Sequence, residues 1–386
     1  MQEISRRDFL RISALAAGGA ALGACHEGRG GPQEPPVFEP TARVAAARGY
    51  DLYGMTREAL EDIGGIEQVV HPGETVFIKP NMVTLPWAQY SDRFSIGECT
   101  KPEVIIAVAE ECLKAGATEV IVGDASHMPV LEWEYATTLD GSTNLAAEAE
   151  RLSSQYEGNM RVASLEVDSP AWVEVPSRTY LGVIAISSLV AHADRVISIP
   201  VAKTHAWAQL TLSLKNFIGV TPLERYARWV DPGYWDRGMA FDHGSTRSIA
   251  AIYLDIVDAV KPDLAVVDFS IGVEGDGPSV GPDNGSTVDM RGRLGSWLVL
   301  ASTDIVAADA TAARIMSHDV DAVTQLRMAY EMGLGEINES LIEIVGERLR
   351  DLQVEWDPAR LRNQLGYSPT VAPACALARQ LAHRLG

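Results

Sequence analysis

From Arg43 onward the sequence alternates short apolar runs with segments of helical period, and this alternation is the strongest constraint on what the chain can fold into. A parallel strand covered on both faces reads as a continuous apolar run, and reaching the next parallel strand takes a crossover helix. The pattern predicts an α/β protein: a mostly parallel sheet with crossover helices, built as one large body or two closely joined α/β subdomains. Strands are expected at residues 43–47, 75–78, 119–122, 161–165, 195–199, 264–267, 298–301 and 341–345. Helices are expected at 56–63, 102–115, 144–153, 208–218, 247–260, 305–315 and 322–330, and no internal repeat is visible. The clearest unit has Pro102 opening a helix, Gly116 closing it, and a strand that ends at Gly123-Asp124. Ligands of open parallel sheets sit at such strand ends, so Asp124-Ala125-Ser126-His127 is a candidate site loop. An Asp and a Ser there also serve simply as turn caps.

The N-terminus carries an address. Ser5-Arg6-Arg7-Asp8-Phe9-Leu10-Arg11 fits the twin-arginine pattern, and the apolar stretch from Ile12 to Ala24 is too short for a membrane-spanning helix, which needs about 20 residues. Leu22-Gly23-Ala24-Cys25 then resembles a lipobox, which makes Cys25 the expected lipidation site and the new N-terminus after cleavage. The organisation expected is a signal at 1–25, a Gly/Pro/Glu-rich tether at 26–42, an α/β domain at 43–346 and a C-terminal extension at 347–386. Such a chain uses the twin-arginine translocase as a partner during export. It resides in the periplasm or cell envelope and meets the membrane only through its lipid.

Charge excludes several partners. The formal charge is -20, and removing the signal's three arginines and two acidic residues leaves -21, which argues against nucleic acid. The four cysteines, Cys25, Cys99, Cys112 and Cys375, contain no Cys-x-x-Cys pair, so no iron–sulfur loop or zinc ribbon is encoded. No bridge between Cys99 and Cys112 is assigned. Neither a Gly-x-Ser-x-Gly elbow nor a His-Glu-x-x-His helix is present.

Within this acidic background lysine is rare: six against 26 arginines. Three of the six fall in tight polar groups at the ends of apolar runs, Lys79-Pro80-Asn81, Lys203-Thr204-His205 and Lys215-Asn216. An ammonium at a strand end is a compact cation for a carboxylate or phosphate, and desolvation turns it into an acid, a base or an imine former. Asn81 and Asn216 add neutral groups that orient such a ligand. Taken singly, each lysine reads as a salt-bridged or snorkelling residue; three together point to a site. His205 or Asp124 would move the proton, although a lone His is often only a structural hydrogen-bonding residue. Asp268 and the Gly272–Pro278 stretch, expected as a loop with Asp276, form a second polar group suited to a divalent cation. His243 is a weaker candidate, Asp304 reads as the cap of the helix that follows, and the aromatic stretch 225–237 reads as a lid, a partner surface or a packed insertion.

Phe77-Ile-Lys79-Pro80-Asn81, Gly123-Asp124, Lys203-Thr204-His205 and Leu212-Ser-Leu-Lys215-Asn216-Phe217-Ile-Gly219 together resemble the family of domain of unknown function 362, from about Arg43 to Gly346. The resemblance implies that Lys79, Asn81, Lys203, His205, Lys215 and Asn216 line one pocket. Relatives with appended ferredoxin-like cysteines are iron–sulfur proteins, but those cysteines are missing here. Three readings stay open: an enzyme acting on a small anionic ligand, a non-catalytic binder of a small acid, and a cofactor-bearing redox accessory.

Overall fold

The computed structural model describes residues 39–230 and 233–362, so the signal, Cys25 and Cys375 lie outside the described residues. Everything described from Pro40 onward belongs to one compact unit. The first strand β1 (Ala42–Gly49) leads into helix α1 (Leu52–Asp62), and β2 (Thr75–Pro80) into α2 (Pro102–Lys114). Strand β3 (Glu119–Asp124), helix α3 (Leu145–Gln155) and strand β4 (Asn159–Ser164) follow. A hairpin of β5 (Trp172–Pro176) and β6 (Val183–Ser187) precedes β7 (Arg195–Ile199), β8 (Val201–His205) and β9 (Gln209–Thr211). Next come the single turn α4 (Ser213–Asn216), the ribbon β10 (Arg228–Val230) and β11 (Tyr234–Asp236), and α5 (Thr246–Val260). The chain continues through β12 (Leu264–Gly275), β13 (Gly285–Asp289), β14 (Trp297–Ser302), α6 (Ile305–Ile315), α7 (Thr324–Glu331), β15 (Ile342–Val345) and α8 (Leu349–Leu352).

The main sheet runs β15-β1-β14-β12-β7-β2-β3-β4. All neighbours on this path are parallel except β14, which is antiparallel to both β1 and β12. The expected class holds: an α/β fold with a mostly parallel sheet. Apolar runs such as Val76-Phe77-Ile78 and Leu298-Val299-Leu300-Ala301 are fully buried, as strands covered on both faces must be. Helix α6 is buried on every side, its many alanines letting it lie close to the sheet. Cys99 and Cys112 are buried free thiols.

Two segments depart from expectation. Residues 208–218 do not form one helix: after His205 the chain reverses, and β9 pairs antiparallel to β8 with Lys203 opposite Thr211 and His205 opposite Gln209. Gln209 takes up a positive φ of 67° in that reversal. The helix-like spacing of Leu210, Leu214 and Phe217 arises because all three are buried from a hairpin, a turn and a 3-10 helix. The second departure is the supposed loop at Gly272–Pro278, much of which is strand. β12 continues to Gly275 and pairs with β13, and a Cβ on Gly272 would stand 2.2 Å from the Ala202 carbonyl oxygen.

Asp304 caps α6 as expected, its Oδ1 accepting from Val306 and Ala307 N–H at 2.9 Å each, while Oδ2 accepts from Glu336 N–H. Asp304→Ala removes the acceptor for all three, and a loss of about 1–2 kcal/mol in urea unfolding is expected.

Candidate functional site

The C-terminal ends of β2 and β3 and the segment beyond β7 meet at one cavity of about 380 Å³. Lys79, Asn81, Asp124, His205, Lys215 and Asn216 line it, together with Ser126, His127, Trp207, Tyr234, Arg237, His243 and Arg362.

Lys79 enters from the end of β2. Its Nζ lies 2.7 Å from Asp124 Oδ1 at the end of β3, and it also donates to the Pro80 carbonyl at 2.8 Å and to Asn216 Oδ1 at 3.3 Å. Burial pushes the Lys79 ammonium below its usual range, and Asp124 opposes that. The Asp124 carboxylate accepts further bonds from Met82 N–H and Ala125 N–H, 2.8 Å each. Asn216 in turn donates to the Lys79 carbonyl at 2.6 Å, tying α4 to β2. Asp124 is thus spent on holding Lys79 and two backbone donors.

Lys215 is different. It projects from the turn α4 into the cavity and makes no hydrogen bond or ion pair with any described residue. Burial, with the positive charges of Lys203 and Lys79, brings it down to about 7. The turn that presents it starts where Asp309 of α6 accepts from Ser213 and Leu214 N–H at 2.8 and 3.0 Å.

Lys203 does not line the cavity. Fully buried behind it, its Nζ donates to the Glu98 carbonyl at 2.7 Å and to Asn81 Oδ1 at 3.2 Å, so it orients Asn81 from the rear. Burial brings this ammonium down to about 8.

Three histidines face the space, and burial keeps each below its usual range and therefore neutral near pH 7. His205 Nδ1 accepts from Trp207 and Ala208 N–H at 3.1 and 3.3 Å, which places its proton on Nε2. His127 Nδ1 donates to the Trp235 carbonyl at 2.6 Å and His243 Nδ1 to the Phe241 carbonyl at 2.8 Å, which leaves a lone pair on each Nε2. The cavity therefore presents one ring donor and two ring acceptors.

Arg237, buried, completes the cationic lining. It donates to Thr221 Oγ1, to the Thr221 carbonyl and to the Ala125 carbonyl, which occupies three of its five N–H groups. Burial lowers it only to about 10, so it stays charged.

Residues 76–314, more than half of the chain, match the model of the domain of unknown function DUF362. The chain belongs to the DUF362 family. Residues 3–23 match the signal sequence of the twin-arginine translocation pathway, which directs this DUF362 chain out of the cytoplasm through that translocase. A thylakoid-associated protein of Synechocystis is 26% identical over 289 residues, covering 73% of this chain and 75% of that protein. Among solved structures, the lactate racemase apoprotein of Thermoanaerobacterium thermosaccharolyticum aligns with 61% of this chain at 11% identity and a TM-score of 0.30. A Thermotoga maritima protein aligns over the same share at 11% identity and a TM-score of 0.32. The chain spans about half, 52%, of each of those two structures.

The two carboxylates expected to take a metal are apart from this DUF362 cavity. Asp268 is fully buried, 3.4 Å from Lys101 Nζ, and accepts from Lys101 N–H and from Ser270. Asp276 is held by Arg360 at 2.6 Å. Among the described residues no group of three or more His, Cys, Asp or Glu is arranged around a metal position. Sequence reading missed Arg237, Trp207 and Arg362. Arg237 lay inside the aromatic stretch that read as a lid, and nothing in its local pattern separates it from the other arginines.

Gly219 closes the ion pair from above. A Cβ there would stand 2.2 Å from Asp124 Oδ1 and 2.9 Å from Lys79 Nζ. Gly219→Ala is expected to cost roughly 1–3 kcal/mol by overpacking. Lys79→Met, which leaves Asp124 as a buried unpaired charge, is expected to cost about 3–5 kcal/mol. Denaturant unfolding of the two variants checks both values and their order.

Proposed function

We propose that the cavity binds a small anionic ligand, a carboxylate or a phosphate, with Lys215 and Arg237 as its cations. The observation that supports this is Lys215: an amine with no partner among the described residues, in a cavity also lined by a guanidinium whose N–H groups are only partly used. A half-buried ammonium without a counter-ion is costly, and an anion entering the cavity reduces that cost. The volume falls near the low end of ligand cavities, roughly 300–1,000 Å³, which favours a ligand of a few heavy atoms. Lys79 contributes less, because Asp124 already neutralises it. Trp207 and Tyr234 supply apolar wall. The chain works in the cell envelope, tethered by a lipid on Cys25; incorporation of labelled fatty acid, absent in Cys25→Ala, is the expected sign of that anchor.

The anion test follows from the titration of Lys215. An anion favours the protonated amine and so raises its pKa in the complex. Affinity for propionate, whose own carboxylate stays ionised, is expected to be level below about pH 7 and to fall by up to tenfold per pH unit above it. Calorimetric titration measures this, and Lys215→Met should bind more weakly at low pH and show no such slope. Equal affinity and equal pH dependence in wild type and variant would remove Lys215 from the ligand.

A further inference from the structure

The cavity holds two lysines in contrasting states. Lys79 Nζ has three partners, Pro80, Asn216 and Asp124, so its three N–H groups are taken and it has no reason to give up its proton. Lys215 Nζ has none among the described residues. For a desolvated nitrogen without acceptors the neutral amine is the less costly form, and a neutral amine carries a lone pair. Its titration near neutrality leaves both forms populated at working pH. Lys203 and Lys101 are excluded as alternatives, because their ammonium groups point at backbone carbonyls behind the cavity.

The same cavity is lined by groups that suit a carbonyl compound bearing a carboxylate. Arg237 stays charged and keeps Nε–H and one Nη1–H unused, each able to donate a single charge-assisted bond to a carboxylate oxygen. His205 offers an Nε2–H that can hydrogen-bond a carbonyl oxygen, and His127 and His243 offer Nε2 lone pairs that can carry protons.

We infer that the ligand is a small 2-oxo acid and that Lys215 Nζ condenses with its keto carbon to form an imine. This rests on the anion reading above and names the ligand class of the same cavity. In the first step the Nζ lone pair forms the C–N bond, the carbonyl π pair moves to oxygen, and one N–H proton passes to that oxygen. The resulting carbinolamine loses the oxygen as water, which takes the second nitrogen proton, and the C=N bond remains. Both protons come from the amine, so no external reagent is consumed.

Pyruvate is the probe, with sodium borohydride to reduce any imine, and intact-mass and peptide mass spectrometry as the readout on the full chain. Wild type is expected to gain the mass of pyruvate less one oxygen atom, on the peptide carrying Lys215. Lys215→Arg, which keeps the cation but cannot form an imine, should still bind propionate and show no adduct there; Lys215→Met serves in its place if the arginine variant does not fold. Propionate binding without an adduct on Lys215 would overturn the imine and leave the anion reading intact. Neither binding nor adduct would overturn both. An adduct of the same yield in Lys215→Arg, spread over other lysines, would also overturn the inference, because it marks surface chemistry.

Discussion

The ion pair between Lys79 and Asp124 is the contact on which the site depends. It joins the ends of two neighbouring parallel strands at 2.7 Å with both side chains almost fully buried. Charges removed from water are tolerable only if the remaining donors and acceptors are satisfied. Here they are: Lys79 also meets Pro80 and Asn216, and Asp124 also meets Met82 and Ala125. The result is a fixed floor. Asn216 is pinned to it, so the turn carrying Lys215 is held in register with β2 although α4 comes from a distant part of the chain. The floor's lysine is thereby unsuited to chemistry, and of the two Lys215 is the one whose nitrogen is unengaged among the described residues.

Behind the floor lies a second set of cross-ties. Lys203 bridges Asn81 and Glu98, Lys101 meets Asp268, Thr100 donates to the Ile199 carbonyl, and Glu98 accepts from Val280 N–H. These bonds connect β2, α2, β7, β8 and β12 where their side chains would otherwise be apolar. A chain with so few lysines uses at least three of them, Lys79, Lys101 and Lys203, as internal struts with under 2% exposure. Such networks are stabilising only when complete, and completeness also fixes one arrangement of the strand ends.

Much of this was legible from sequence. Buried parallel strands produce apolar runs whatever their partners, so the α/β class and six of the seven expected helices could be read locally. Of the residues expected to line one pocket, Lys79, Asn81, His205, Lys215 and Asn216 do so and Lys203 does not; the candidate Asp124 joins them at a neighbouring strand end. What escaped reading depends on partners distant in sequence. Lys203 and Lys215 look alike in sequence, yet one is bonded from behind and the other is open to the cavity, and only the three-dimensional positions of Glu98 and Asn81 decide which. The hairpin at 208–218 was misread because burial from a hairpin and a turn can imitate helical spacing. Asp268 and Asp276 looked like free carboxylates because their partners, Lys101 and Arg360, lie 167 and 84 residues away.

The stretch after α8 has a role that its position at the rim does not suggest. Trp356 packs on Phe269 with ring centres 5.7 Å apart, Asp357 exchanges backbone and side-chain bonds with Gly275 and Glu274, and Arg360 clasps Asp276. Arg362 N–H then reaches the Ala206 carbonyl, and its side chain forms part of the cavity wall. These residues are synthesised after all the others described, so the wall is absent while the chain is still growing through β15. The cavity therefore lacks this wall until the chain has been made through Arg362. That order fits the twin-arginine route, which takes its cargo already folded, so the last wall of the cavity is in place before the protein crosses the membrane.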